Sequence, residues 1–434
     1  MGKIVKWLFP LLLIVGCGSL QAASPTQYSR PAGVPYLGMH MHRADEGTKW
    51  PGAGFGSWRL WDADVAWPNL EPERGRWDFA RLDRYVAMAR LAGVEILLPL
   101  GLSPRWASAR PGERSSYSPG NAAEPRDLED WRNYVRTVAT RYKGRIRDFE
   151  IWNEPNEVSF FSGTPEKLVE LTCEAQRVLK SVSPDNRLVS PSMVGEGREP
   201  ELLGAFLEKG GKNCVDIIGY HFYVPKGPPE ALTALVVRVR AVMKKAGVGD
   251  LPLWNTESGW WIENGDGTPE TGADPRWMRI SVAQSGAWVA RALIVGRAAG
   301  LERFYWYAWD NKIMGLIEPS NGAYKPGAKA FATLAGWLAD NPGVACFTNQ
   351  TNWSCRLDRQ SGLASGTEEL LVWDTGTREA YFPIPAGKRV LSIDYIDGQS
   401  APAEKLETLR TVPISGMPIR LTLRNGGDMG RGMR

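Results

Sequence analysis

The chain has 434 residues, 43% of them hydrophobic and 23% charged, with a formal net charge of +4. That length exceeds one ordinary domain and that apolar content fills a sizeable core, which excludes a disordered or low-complexity protein. Lys3 and Lys6 lie in a segment expected to be removed, which takes +4 to +2 on the mature chain; so small and dispersed a charge argues against nucleic acid or an anionic membrane as partner.

An apolar run from Trp7 to Val15 follows those lysines and leads to Gly16-Cys17, the layout of a secretory signal over residues 1–17 and too short for a spanning helix. Ile14-Val15-Gly16-Cys17 resembles a bacterial lipobox, in which the cysteine is acylated and becomes the first mature residue. Ordinary cleavage near Ala22-Ala23 is the other reading. Both export the protein, either to the periplasm or as a membrane-anchored lipoprotein, with residues 18–34 as a linker. If Cys17 takes lipid, four cysteines remain for an oxidising compartment. Cys346 and Cys355 flank the polar loop Thr348 to Ser354 and are expected to form a local disulfide. Cys173 and Cys214 are either a second pair or buried free thiols, since the sequence does not give the separation of their Cα atoms.

From Pro35 onward, apolar β-prone runs alternate with helical patterns, the signature of βα units around a parallel sheet. The strand candidates are Tyr36 to Met41, Ser57 to Trp61, Glu95 to Leu100, Ile146 to Trp152, Arg187 to Ser192, Val215 to Tyr223, Leu251 to Asn255 and Arg303 to Trp309. Between them, Asp78 to Ala92 predicts a helix with Phe79, Leu82, Val86 and Ala89 on one side and a stop at Gly93. Thr164-Pro165-Glu166 reads as an N-cap with proline at the first helical position, leading to Leu168, Leu171, Ala175 and Val178 on the buried face. Eight such units predict an α/β chain with a (β/α)8 TIM barrel over residues 35–342. A doubly wound sheet is the rival, and the phosphate-binding glycine loop it would need is not found.

After Asn341-Pro342-Gly343 the texture changes to short β runs: Val344 to Thr348, Cys355 to Leu357, Leu370 to Asp374, Ala380 to Pro383, Val390 to Tyr395, Thr408 to Val412 and Ile419 to Leu423. They predict a small C-terminal β-sandwich over residues 343–425, with Asp397-Gly398 as a hairpin turn and a flexible tail over 426–434.

Two stretches carry the chemistry. Phe149-Glu-Ile-Trp-Asn-Glu-Pro-Asn-Glu157 runs up a strand to Asn153-Glu154, and Pro155 ends it because proline cannot donate to a ladder. Leu251-Pro-Leu-Trp-Asn-Thr-Glu-Ser-Gly-Trp-Trp261 repeats the design around Glu257. In a barrel, working residues sit at the C-terminal strand ends, and these two glutamates end strands four and seven. One protonated and one ionised carboxyl about 5 to 5.5 Å apart are the equipment for retaining glycoside hydrolysis. Glu154 then serves as general acid and afterwards as base, and Glu257 as the nucleophile that forms a glycosyl-enzyme. Two ion-paired structural glutamates are the bland alternative, and Glu150 and Glu157 lack the motif that singles out Glu154.

Trp152-Asn153-Glu154-Pro155 and Glu257 resemble the acid/base and nucleophile motifs of glycoside hydrolase clan A. Within it, Ile151 to Asn156, the Pro104-Arg-Trp-Ala-Ser108 turn and the trailing sandwich resemble family 39, and Trp254-Asn-Thr-Glu-Ser-Gly-Trp260 resembles the PslG-type exopolysaccharide hydrolases. The resemblance implies that Arg59 holds the nucleophile carboxylate and that Asn153 bonds the sugar 2-hydroxyl. It also implies that His221-Phe-Tyr223 lies beside the nucleophile and that Trp306 is the platform under the reacting sugar. Three departures accompany it. The histidine that family 5 carries at the end of strand three is missing from Leu98 to Trp106. Ser258-Gly259 follows the nucleophile where many family 39 xylosidases have an aromatic residue. Strict alternation sets Asn153 and Glu154 on opposite faces, so the strand must bulge or turn there.

The other candidates are less specific. His40 and His42 share a face at the end of strand one, suited to sugar contacts or core hydrogen bonds, with a metal site as the remoter reading. Trp61, Trp106, Trp152, Trp260, Trp261, Trp306 and Trp309 fall near strand ends, as stacking faces or as core. Ile262 to Asp274 is either a loop over the cleft or an ordinary turn. The sequence thus predicts an exported, monomeric enzyme that needs no metal or organic cofactor, touches membrane only through a lipid anchor, and cleaves an extracellular polysaccharide, endo-acting if its aromatic mouth forms several subsites. An exo-acting β-xylosidase-like enzyme and a polysaccharide-binding scaffold without turnover are the alternatives.

Overall fold

The computed structural model describes residues 34–426 except 341, 360–363 and 405. The signal segment, Cys17 and the lipobox, nearly all of the 18–34 linker and the tail from 427 lie outside the described residues. Eight parallel strands form the barrel: β1 (Val34–Met39), β2 (Phe55–Arg59), β3 (Glu95–Leu100), β4 (Asp148–Ile151), β5 (Arg187–Val189), β6 (Ile218–His221), β7 (Leu253–Ser258) and β8 (Arg303–Trp306). Each pairs with its neighbour in order, and β8 returns to β1 through Leu37↔Phe304 to Met39↔Trp306. The ring closes between β5 and β6 through the bridge Val189↔Ile217 and through Met193–Val194, which pairs with Tyr220 and His221. Expected strand positions match observed ones, with shifts at the ends. Strand five is interrupted at Ser190–Ser192, and strand seven runs on to Ser258, so Glu257 lies within it.

Alternation decides what fills the barrel, because every second side chain points inward. At the N-terminal end Arg303 pairs with Glu95, and Arg187 with Asp148 at 2.7 Å. Above them Leu97, Val189, Ile217, Trp254 and Tyr305 form an apolar layer. Gly38 on β1 faces Tyr305, and a Cβ there would come within 2.5 Å of its ring, so only glycine leaves room for this tyrosine. The next layer upward is polar, with Ser57, Arg59, Glu150 and Thr256 all buried. Buried polar groups must find partners, and this layer is the foundation of the site.

The outer helices begin and end for local reasons. Helix Ala80–Ala92 stops at Gly93, which takes the left-handed conformation (φ 64°) that a side chain would resist. Helix Pro165–Val182 starts where Thr164 accepts from the Lys167 amide at 3.2 Å, with proline at the first position. Among the described residues no helix is long and apolar enough to cross a membrane.

The last barrel helix, Pro326–Trp337, precedes seven strands: β9 (Gly343–Asn349), β10 (Asn352–Asp358), β11 (Thr367–Asp374), β12 (Ala380–Pro383), β13 (Lys388–Tyr395), β14 (Thr411–Ile414) and β15 (Ile419–Asn425). Five make an antiparallel sheet in the order β9-β10-β11-β15-β13, and β12 pairs with β14 in a second sheet. The sandwich has its own core around Val372, Val390, Ile393, Leu421 and Leu423, while Cys355, Leu357, Leu371 and Trp373 join the barrel's core. At that junction Arg291 forks onto Glu230 at 2.7 and 2.6 Å, and Trp373 donates to the same carboxylate at 2.9 Å. Helix Ser285–Ala298 is therefore buried from Ser285 to Gly296. Both cysteine pairs are bonded, Cys346–Cys355 directly across β9 and β10 and Cys173–Cys214 with Cα atoms 4.8 Å apart.

Candidate active site

Strand β4 ends in a sharp turn that solves the alternation problem. Trp152 and Glu154 both have positive φ, 55° and 45°, a conformation costly for residues with side chains and typical of sites the surroundings hold in place. The surroundings here are the Trp152 amide on Leu100 O at 2.7 Å, the Trp152 indole on Phe160 O at 2.6 Å and the Glu154 amide on Ser192 O at 3.1 Å. Gly101 leaves the space, since a Cβ there would sit 3.1 Å from Trp152 Cα. The two left-handed residues bring Asn153 and Glu154 to the same mouth. On β7 the register against β8 slips between Phe304↔Asn255 and Trp306↔Ser258, and such a bulge re-aims the side chain within it, Glu257.

Arg59 organises the floor. It is fully buried, and its fork gives Nε to Glu150 at 2.5 Å, Nη1 to Glu257 at 2.8 Å and Nη2 to Asn153 Oδ1 at 2.8 Å. The last bond fixes the Asn153 amide with its nitrogen as the remaining donor. Glu150 takes a further bond from Ser192 Oγ at 2.5 Å, so this carboxylate, set aside in the sequence, is what holds the arginine. Tyr223 donates to the other oxygen of Glu257 at 3.0 Å, and His221 Nδ1 lies 2.7 Å from Glu154 Oε1. Oxygen atoms of Glu154 and Glu257 and a ring nitrogen of His221 lie within 4.8 Å of one another.

Burial pushes the Glu154 carboxyl up to about 8, with the charges of Glu157, Asp62 and Glu150 adding to it against Arg59. Burial also raises Glu257, to about 7, with Glu154 adding to the rise and Arg59 opposing it. Of the two, Glu154 keeps its proton to the higher pH. Burial lowers His221 to about 4, so its ring is neutral beside Glu154, and burial keeps Tyr223 a neutral donor. The trio Glu154, His221 and Glu257 has the donor set to hold a cation, but both Glu257 oxygens already take bonds, one of them from a guanidinium.

The structure thus brings Glu154, Glu257, Arg59, Asn153, His221 and Tyr223 together. Other expected residues stand elsewhere. Trp306 and Trp309 are buried to 0% and 1% exposure. Trp306 gives its indole N–H to Met314 O and packs on Trp260, while Trp309 meets Tyr324 edge-on. Neither offers a face to a sugar, which corrects the platform reading: Arg303 and Tyr305 fill the barrel interior, so alternation along β8 turns Trp306 outward against Trp260, and Trp309, past the strand end, packs on Tyr324. Trp106 sits between Trp67 and Arg74 and donates to Glu71 O, a contact that anchors the loop after β3. His40 bonds Thr256 O at 3.1 Å. His42 uses its backbone amide on Asp310 and lays its ring 5.0 Å from Tyr307. Sequence reasoning missed Asp62, Tyr117 and Tyr307: Asp62 accepts from Tyr307 OH at 2.6 Å and from Tyr117 OH. They come from the loops after β2, β3 and β8, and no motif spans them.

An eight-stranded barrel with one glutamate just past β4, another near the end of β7 and an arginine fork beneath is the arrangement that the resemblance to glycoside hydrolase clan A implies. Residues 60–263 match the model of Glycosyl hydrolases family 39. A β-xylosidase of Geobacillus stearothermophilus is 27% identical over 210 residues, 42% of this chain and 40% of that protein. A β-xylosidase of Caldicellulosiruptor saccharolyticus is 28% identical over 181 residues, 40% of this chain and 36% of the relative. The chain thus spans well under half the length of these curated relatives. Among solved structures, a family 39 glycoside hydrolase of Bacteroides cellulosilyticus WH2 superposes with a TM-score of 0.69 at 19% identity, over 92% of this chain and 82% of that one. A monomeric β-xylosidase of Caulobacter crescentus CB15 gives 0.60 at 16% identity, over 92% and 97%.

Proposed function

We propose that this chain is a retaining glycoside hydrolase of β-linked glycans, with Glu257 as nucleophile and Glu154 as acid/base. The observation that carries this reading is the approach of Glu154 and Glu257 oxygens to within 4.8 Å, with Glu257 held by Arg59 and Tyr223. Carboxyls this close leave no room for the water that an inverting enzyme places between a wider pair. Glu257 attacks the anomeric carbon as Glu154 protonates the leaving oxygen, and Glu154 then takes a proton from the water that releases the sugar. The Asn153 amide, oriented by Arg59, is set to bond the sugar 2-hydroxyl, a contact able to strengthen in the transition state.

The polymer and the mode of attack belong to the same proposal. An endo-acting enzyme of an exported polysaccharide, of the PslG type, is supported by the sequence of the nucleophile stretch, and the two disulfides support work outside the cytoplasm. The β-xylosidases among the relatives favour the second reading, an exo-acting enzyme that removes terminal xylose. Wild type and Glu257→Gln are compared on xylan, mannan, β-glucan and bacterial exopolysaccharides. A ladder of oligosaccharides absent from the variant supports the endo reading, and monosaccharide alone supports the exo reading. A first product of inverted anomeric configuration, followed by NMR, removes the double-displacement assignment.

A pH profile follows from the two carboxyls. Activity needs Glu257 ionised and Glu154 protonated, so kcat/KM is expected to fall below about 7 as Glu257 gains its proton and to fall above about 8 as Glu154 loses its own. Glu154→Gln, assayed on an aryl glycoside whose leaving group departs without a proton, is expected to lose the alkaline limb only. Persistence of that limb in the variant would assign it to another group.

A further inference from the structure

A cavity of about 270 Å3 opens beside the catalytic mouth, between the ends of β2 and β3 and the loop after β3. Trp61, Asp62, Asp64, Asn69 and Tyr117 are among its lining residues. We propose that it is a binding subsite for one neutral sugar unit adjacent to the reacting one. The proposal rests on the retaining-hydrolase reading and deepens it.

Its wall is shared with the catalytic centre. Asp62 takes hydrogen bonds from Tyr307, which lies at the mouth against the rings of His40 and His42, and from Tyr117, which lines the cavity. Tyr117 also meets Trp61 edge-on at 5.8 Å, and the Arg59 guanidinium that holds Glu257 lies 5.8 Å from the Trp61 ring. The charges of Glu257 and Glu154 reach the Tyr117 hydroxyl, and that of Asp62 reaches both glutamates. The Asp62 wall, bonded to Tyr307 on one side and Tyr117 on the other, therefore sets this cavity beside a chain seated over Glu154 and Glu257.

The lining says which sugar. The volume is close to the lower end for small-molecule pockets, room for a single ring and not for a chain. Tyr117, 41% exposed, offers an aromatic face to sugar C–H groups, while Asp64 and Asn69 are exposed and can bond hydroxyls. Asp62 and Asp64 give the cavity two carboxylates, the second already paired with Arg81 at 3.0 Å, and no lysine, arginine or histidine lines it. A uronic acid unit would bring a third negative charge without a cation to meet it, so a neutral unit is favoured.

The subsite is tested by separating the reacting sugar from its neighbour. A glycosyl fluoride fills only the reacting position, because fluoride is too small to occupy a second. β-Xylosyl, β-glucosyl and β-mannosyl fluoride are each compared with the matching β-1,4-linked tetrasaccharide in wild type and in Asn69→Trp, which fills the cavity from an exposed position. The ratio of kcat/KM for tetrasaccharide to that for fluoride is expected to fall about tenfold or more in the variant. An unchanged ratio overturns the subsite while leaving the hydrolase reading intact. Calorimetry on Glu257→Gln, with and without Asn69→Trp, gives a readout independent of turnover. Tetrasaccharide binding weakened by the tryptophan supports the subsite, and equal binding overturns it. If wild type cleaves none of these sugars and Glu257→Gln binds none of them, both the hydrolase reading and the subsite fall. A uronic acid in the neighbouring unit is expected to slow cleavage, and faster cleavage would overturn the assignment to a neutral sugar.

Discussion

Glu257→Gly is expected to lower kcat on an activated aryl β-glycoside by about 10⁴-fold or more, and added azide is expected to restore turnover with the α-glycosyl azide as product. The magnitude follows from the division of labour in the site. Without a carboxylate opposite the leaving group there is no glycosyl-enzyme, and a water in the vacated space is a far weaker nucleophile with no base beside it. Azide is small and anionic, and the space left by Glu257 still faces the Arg59 guanidinium that bonded the carboxylate at 2.8 Å. Attack from that side inverts the β-glycoside once, which gives the α product. Glu154→Gly should behave in the opposite sense. Its glycosyl-enzyme still forms from an activated substrate, azide takes the place of the deprotonated water, and a second inversion gives the β-glycosyl azide. The product's anomeric configuration therefore reads each residue's role directly. A Glu257→Gly enzyme that keeps activity within tenfold of wild type, or that yields the β-azide, would remove Glu257 as the nucleophile.

Glu154 and Glu257 were legible because each sits in a short apolar run with a breaker behind it, and strand ends in a barrel are where such residues do chemistry. The strands were legible for the same reason, and the cap at Thr164 and the stop at Gly93 followed from local chemistry alone. What stayed hidden depends on contacts between distant elements. Glu150 looks like any strand glutamate until β2 places Arg59 against it, 91 residues away. Asp62 acquires its meaning only from Tyr117 and Tyr307, the latter 245 residues distant. Trp306 and Trp309 misled because a tryptophan near a strand end can pack inward or face a ligand, and the choice is made by Trp260 and Tyr324 from other elements. Cys173 and Cys214 stayed open because the helix carrying one and the short turn before the other must first be docked.

The polar layer beneath the mouth carries the second large effect, in stability and catalysis together. Arg59→Met is expected to destabilise the fold by about 3–5 kcal/mol, because it strands buried carboxylates that were paired with a cation. It is also expected to cut kcat/KM by about 10² or more, since Asn153 loses its orienting bond and Glu257 one of its two partners. The pH profile supplies the sign. Arg59 lowers both the Glu257 and the Glu154 carboxyls, so its loss moves the acidic limb up from about 7 and the alkaline limb up from about 8, and the whole profile shifts to higher pH. Arg59→Lys keeps the charge but not the fork, and a single ammonium cannot serve Glu150, Glu257 and Asn153 at once. The two effects are separable. Adding Glu150→Gln to Arg59→Met removes one stranded charge, so the thermal midpoint should recover part of its loss while kcat/KM stays low. Recovery of activity along with stability would show that Arg59 acts through packing, and the orientation of Glu257 and Asn153 would then need another cause.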